Sequence, residues 1–147
     1  MSEPVIRRYM SQDHLAATLG MELVQVAPGQ AEVRMPLDQR HLNGAGIVHG
    51  GAIFSLADVA FAAASNAHGT LALALDVSIS FVKAATAGVL TARADELSLG
   101  PRTGVYGVRV TNQSGELIAL FQGTVYRKKT PIDDLLSAEN RERGGRQ

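Results

Sequence analysis

The chain contains no cysteine, which excludes a disulfide framework and a thiolate metal site and leads us to expect a reducing, cytoplasmic setting. No apolar run approaches the roughly 18 residues that a membrane-spanning helix needs. The longest such stretches are interrupted by Asp58, His68 and Asp76. The opening Met1-Ser2-Glu3-Pro4-Val5-Ile6-Arg7-Arg8 lacks the apolar centre of a secretory signal. Neither sign of charge is in excess, since 14 Lys and Arg face 14 Asp and Glu; the basic field of a nucleic-acid binder is therefore not expected. No repeat with a period of roughly 20 to 50 residues is visible. What is present is 147 residues, enough for one domain with its own core.

The organising stretch runs from residue 43 to 65. Asn43-Gly44-Ala45-Gly46-Ile47-Val48-His49-Gly50-Gly51 reads as a glycine-punctuated loop, and the Ala- and Leu-rich segment after it, free of Pro, reads as a helix. That helix is apolar almost all the way round. Ile53, Leu56, Ala57, Ala60 and Ala64 form one stripe; Phe54, Phe61 and Ser65 form a second face, on which Asp58 sits. A helix with no polar face is a buried helix, and a carboxylate on it costs several kcal/mol unless something compensates. Asp58 therefore either caps a neighbouring backbone or meets an arginine, or it faces a water-accessible slot and does chemistry there.

Around this centre the pattern is mostly strand-like. Residues 1–10 are expected to be loose, and a short helix capped by Ser11 is expected before Gly20. Leu23, Val24 and Val26, then a Pro28-Gly29 break, then Ala31, Val33 and Met35 give strand character from Met21 to Met35. After Gly69, Leu71, Leu73, Leu75, Val77, Ile79 and Phe81 alternate with smaller or polar residues, the mark of a half-buried strand. Further strands are expected over 88–99, 104–111 and 116–129, with turns at 100–103 and 112–115. Short turns between successive strands imply an antiparallel sheet, and one long apolar helix against it makes an α+β layer arrangement. The domain is expected over 11–130, with a polar tail over 131–147. The face carrying Phe54, Asp58 and Phe61 still needs a cover, and a second copy of the chain is expected to supply it.

Spacing supports that expectation. The first amides of a helix have no internal partner and carry the positive end of its dipole, so His49-Gly50-Gly51 can polarise a carbonyl. Gly50 and Asp58 stand eight residues apart, about 12 Å along a helix axis. One carbonyl group cannot lie within about 3 Å of both. Two helices packed antiparallel across a two-fold axis would bring Gly50 of one beside Asp58 of the other.

Asn43-x-x-Gly46-x-x-His49-Gly50-Gly51 followed by Leu56-Ala57-Asp58 resembles the signature of hotdog-fold acyl-CoA thioesterases. The segments 54–62, 102–106 and 118–123 are similar to the PaaI branch, the phenylacetic-acid-degradation thioesterases, and the similarity runs over about 11–129. The resemblance implies a hotdog fold, a homodimer with a continuous sheet and commonly a homotetramer. It implies hydrolysis of an acyl-CoA, with (hydroxy)phenylacetyl-CoA-type thioesters as the favoured class. Position by position, Asp58 matches the catalytic carboxylate, as general base or nucleophile, and Gly50 the amide that polarises the thioester oxygen. Asn43 and His49 match the loop pair that shapes the site. Gly51, Phe54, Phe61, Lys83, Arg102, Thr103 and Arg127 are candidates for holding the substrate, the basic ones at its coenzyme A phosphates. Some relatives have a serine on the strand after the helix; Ala74 stands at that position here, and the water-placing role is not assigned.

No cofactor or metal is expected, because a thiolate leaves readily and positioning with carbonyl polarisation supplies much of the rate. His14, His41 and His68 lack metal-ligand spacing and are expected at the surface or in turns. A hydratase acting on an enoyl-CoA and a non-catalytic acyl-CoA sensor are the alternatives.

Overall fold

A computed structural model describes residues 2–144, with side chains as far as Ala138. The elements are α1 (Glu3–Met10), α2 (His14–Thr18), β1 (Glu22–Ala27), β2 (Gln30–Pro36), a 3-10 turn (Gln39–His41), α3 (Gly50–Asn66), β3 (Thr70–Phe81), β4 (Val89–Leu99), β5 (Thr103–Thr111), β6 (Leu117–Pro131) and α4 (Ile132–Gly144). The six strands form one antiparallel sheet in the order β1-β2-β4-β5-β6-β3, against which α3 packs.

Strands β4, β5 and β6 make the expected meander. In its second turn Asn112 Oδ1 accepts the amides of Ser114 and Glu116, both at 3.0 Å. β3 departs from that order. It pairs with β6, with Ile79 opposite Phe121, and the connection 82–88 returns the chain to β4, between β2 and β5. β3 therefore has one sheet neighbour and an open outer edge.

The core is built on small residues. Leu56, Ala57, Ala60, Ala63 and Ala64 of α3 are all fully buried, and their short side chains let the helix lie close to the sheet. The sheet yields where α3 carries its largest ring: a Cβ on Gly123 would stand 2.6 Å from Phe61 Cζ, so only glycine fits beneath it. Phe61 also meets Phe121 and Tyr106 at centroid separations of 5.4 and 5.7 Å.

Five expectations change. Residues 3–10 form a helix rather than a loose end: Ile6 is buried, and the Arg7 guanidinium donates to the carbonyls of Leu23 and Val24, both at 2.9 Å, tying α1 to β1. The cap of α2 is Asp13, which accepts from the Ala16 amide at 3.0 Å, while Ser11 closes the end of α1. The 131–147 segment contains a 13-residue helix held by buried Ile132 and Leu136; Met1 and 145–147 lie outside the described residues. On β3 the expected inward set holds at Val77 and Ile79, which are half-buried, but Leu73 and Leu75 are 47% and 62% exposed. A register irregularity between Ala74 and Asp76 disturbs the alternation. The second face of α3 also shifts. Phe61 and Ser65 are buried, and the partly open stripe is Gly51, Phe54, Ser55, Asp58 and Ala62.

Among the described residues no helix is long and apolar enough to cross a membrane, and no group of three or more His, Cys, Asp or Glu could hold a metal ion.

Candidate active site

The loop entering α3 is held by its own polar atoms. Asn43 Oδ1 accepts the amides of Ala45 at 2.9 Å and Ile47 at 3.2 Å, and Leu42 bridges Val48. Gly46 takes a φ of +75°, a conformation that side chains resist. Asn43 thus folds the loop with its oxygen, leaving its Nδ2 group unengaged among the described residues. His49 is the N-cap of α3: its Nδ1 accepts from the Gly51 amide at 2.8 Å. That acceptor role requires the proton on Nε2, so the exposed side of the ring offers a donor.

The Gly51 amide is thereby spent on His49. The Gly50 amide, one residue earlier, has no hydrogen-bond partner among the described residues. The Phe81 ring, from the far end of β3, lies over this position.

Asp58 sits midway along α3 on the partly open stripe, and its carboxylate accepts no hydrogen bond among the described residues. Burial, and then the nearby negative charge of Asp13, raise its pKa above the ordinary carboxylate value. Neither a capping role nor an arginine partner accounts for it. Phe54 is half-buried one turn earlier and touches Phe121, with centroids 5.7 Å apart, whereas Phe61 turns fully into the sheet and offers nothing to an incoming ligand.

The basic candidates fall into two groups. Lys83 follows the end of β3, near the start of α3, and is paired with Glu116. Arg102, Thr103 and Arg127 lie at the other end of β3, close to Thr70; Thr103 opposes Tyr126, and Arg127 donates to the Gly100 carbonyl at 2.7 Å. There Arg102, Arg127, Lys128 and Lys129 line an open groove of about 860 Å³. One chain therefore brings Asn43, His49, Gly50 and Gly51 together, and it sets Asp58, Lys83 and the Arg102–Arg127 groove apart from one another.

Two residues of the surroundings escaped the sequence reading. His41 lies in the 3-10 turn, one of the two expected settings, but is fully buried. Its Nδ1 accepts the Asp38 amide at 3.0 Å, its Nε2 donates to the Leu19 carbonyl at 2.7 Å, and its own carbonyl takes the His49 amide at 2.7 Å. It joins three segments to the cap of α3; its only signal was the Asp38-x-x-His41 capping spacing. The other is Asp13, whose proximity to Asp58 depends on how α2 folds over α3. His68, expected at the surface or in a turn, is half-buried against Glu96 at 2.6 Å.

One antiparallel sheet packed against a single long helix is the hotdog arrangement. The thioesterase superfamily matches residues 45–119, and the chain belongs to it. Within that family the chain is similar to the acyl-coenzyme A thioesterase PaaI of Escherichia coli, with 40% identity over 116 residues covering 78% of this chain and 83% of the relative. The structure of that E. coli protein, from the phenylacetic acid degradation operon, superposes with a TM-score of 0.84 at 36% identity, over 87% of this chain and 94% of the other. The phenylacetic acid degradation protein PaaI of Thermus thermophilus, in the structure of a mutant, gives 0.76 at 41% identity, over 79% of this chain and all of that one. A thioesterase protein of Streptococcus pneumoniae in a structure with coenzyme A gives 0.79 at 26% identity, over 84% and 98%.

Proposed function

We propose that this thioesterase hydrolyses acyl-CoA thioesters of the (hydroxy)phenylacetyl-CoA type to the free acid and coenzyme A, at a site that two chains build together. The observation that carries this is the separation of two complementary groups. The unpartnered Gly50 amide and the unpartnered Asp58 carboxylate lie on one helix about 12 Å apart, so a second helix must complete each of them. The open edge of β3, with Leu73 and Leu75 exposed beside it, suits antiparallel pairing with a second β3. Such pairing continues the sheet and sets the two α3 helices antiparallel. It would also bring the Phe81–Gly50 end of one chain toward the Thr70 end of the other, where the basic groove lies. That groove is suited to the coenzyme A phosphates. Leu97 and Leu120, exposed on the sheet, would serve a dimer of dimers.

In this arrangement the thioester oxygen accepts from the Gly50 amide at the positive end of α3, and the exposed His49 Nε2 and Asn43 Nδ2 groups line the same loop. The partner's ionised Asp58 removes a proton from the attacking water, or attacks the carbonyl carbon itself to give an anhydride that water then opens. In either route the carbon–sulfur bond breaks and the thiolate leaves with the electron pair. The similarity to PaaI of E. coli, a protein from the phenylacetic acid degradation operon, supports the aryl-acetyl class.

The test is thiol release over a panel of aromatic and aliphatic acyl-CoAs. Turnover of aryl-acetyl-CoA with kcat/KM above about 10⁴ M⁻¹s⁻¹ is expected. Absence of thiol release across the panel would overturn the proposal.

A further inference from the structure

The sheet has a second outer edge, on β1, and a side chain of α1 occupies it. Among the described residues β1 pairs with β2 alone. The register shifts between Leu23 and Gln25, so Val24 is an extra residue with no partner on β2. Its side chain is 37% exposed. In a regular strand successive carbonyls point to opposite sides, but at this bulge a single guanidinium meets those of both Leu23 and Val24. Arg7 Nη1 donates to the first and Nη2 to the second, and its Nε donates to Glu3 Oε1, each at 2.9 Å. Glu3 also borders, with Gln25, Val26 and Ala27, a surface hollow of about 300 Å³. The first turns of α1 thus stand along the length of β1.

The residue types fit this task. A guanidinium presents its N–H groups in a rigid fork and holds two carbonyls at once, whereas a lysine ammonium is a point charge on a flexible stem. Glu3, one turn earlier on the same helix face, fixes the direction of the fork. The other edge is built differently: β3 runs for 12 residues, with Leu73 and Leu75 exposed beside it.

We infer that the outer edge of β1 is a second strand-pairing surface, complementary to the same edge of another copy of this chain, and that the Glu3–Arg7 clamp holds it shut so that chains meet through β3 alone. An antiparallel strand pair about a two-fold axis matches an edge to itself, so the partner that an opened β1 fits is β1 of another copy. A chain paired at both edges passes the contact on without closing, and the product is an open string of sheets rather than a defined particle. With the fork in place, an incoming strand finds the Leu23 and Val24 carbonyls taken and must strip a hydrogen-bonded guanidinium from them. Closure of β1 is independent of the substrate and of the reaction.

The test is sedimentation velocity over a range of protein concentrations. Arg7→Met keeps a straight, helix-forming stem and removes the fork. Its weight-average mass should rise with concentration to about twice the wild-type value or more. Arg7→Lys disturbs α1 less, since it keeps the charge, and should grow in the same direction because it lacks the fork. Val24→Lys, added to Arg7→Met, sets a charge on the opened edge from an exposed position and should return the mass to the wild-type value. Wild-type mass for both Arg7 variants at every concentration would overturn the proposal. Growth that persists after Val24→Lys would overturn it as well, because the association would then run through some other surface than the β1 edge.

Discussion

The Phe81 ring lies so close over Gly50 that a Cβ added there would stand 3.2 Å from its Cζ. The contact joins the last residue of β3 to the first residue of α3. Proline at position 50 would keep the helix, since the first helical residue tolerates it and His49 already holds an extended φ of −60° and ψ of 135°. It would delete the amide hydrogen that the proposed mechanism aims at the thioester oxygen. Gly50→Pro should lower kcat by about 10²–10³-fold, with the Phe81 ring, 55% exposed, turning aside to admit the added carbons so that Tm falls only modestly, read by thiol release and by thermal unfolding.

Asp58→Asn should lower kcat/KM by about 10²-fold or more while the oligomer, measured by sedimentation, stays intact. Its melting temperature at neutral pH should hold or rise, because a neutral amide replaces a half-buried carboxylate that has no hydrogen bond. A near-native rate would remove Asp58 from the mechanism.

The pH dependence has a defined sign. In the proposed mechanism Asp58 works ionised, and its pKa is raised by burial first and by Asp13 second, so activity should fall with decreasing pH at values above those of an ordinary carboxylate. Asp13→Asn keeps the α2 cap and removes one of the two causes. The acid limb of its kcat profile should move to lower pH. A limb that stays in place would mean that Asp13 does not act on Asp58.

At the far end of α3 a polar cluster contributes stability of its own. Tyr106 donates to Glu96 Oε1 at 2.7 Å, and His68 Nε2 lies 2.6 Å from the same oxygen. Burial opposes the Glu96 charge, but the hydrogen bonds from Tyr106 and His68 and the charges of His68 and Arg127 hold its pKa below the ordinary value. Burial, then the bond to Glu96, push Tyr106 up. A depressed carboxylate pKa contributes stability above the unfolded-state value that is lost as pH falls through the folded-state value. Tyr106→Phe should cost about 1–2 kcal/mol at neutral pH in denaturant unfolding, and the difference should narrow in acid.

Much of this was legible along the chain because it depends on local period. The alanine-rich run 52–64 reads as a buried helix from its neighbours alone, and so do the strands on either side of Gly100 and Gly115. The loop His49-Gly50-Gly51 and the lone Asp58 also stand out locally. What was hidden depends on crossings. Phe61 and Asp58 are one turn apart, but the sheet opens at Gly123 to accept the ring and leaves the carboxylate uncovered. β3 reads as the next strand of a meander, yet it lies beyond β6. His41 looks like a polar loop residue until Asp38 and Leu19 close around it. The α1 helix draws its stability from Arg7 reaching β1 and from Ile6, contacts that a short polar segment cannot announce.

The most direct measurement mixes two inactive chains. Asp58→Asn and Gly50→Pro are purified separately, then dissociated together and allowed to reassociate, and thiol release is assayed. If each site takes Asp58 from one chain and the Gly50 amide from the other, every mixed dimer contains one site with both groups native. Random pairing should then restore about a quarter of wild-type activity. No recovery from a mixture shown to contain mixed dimers would contradict the shared site.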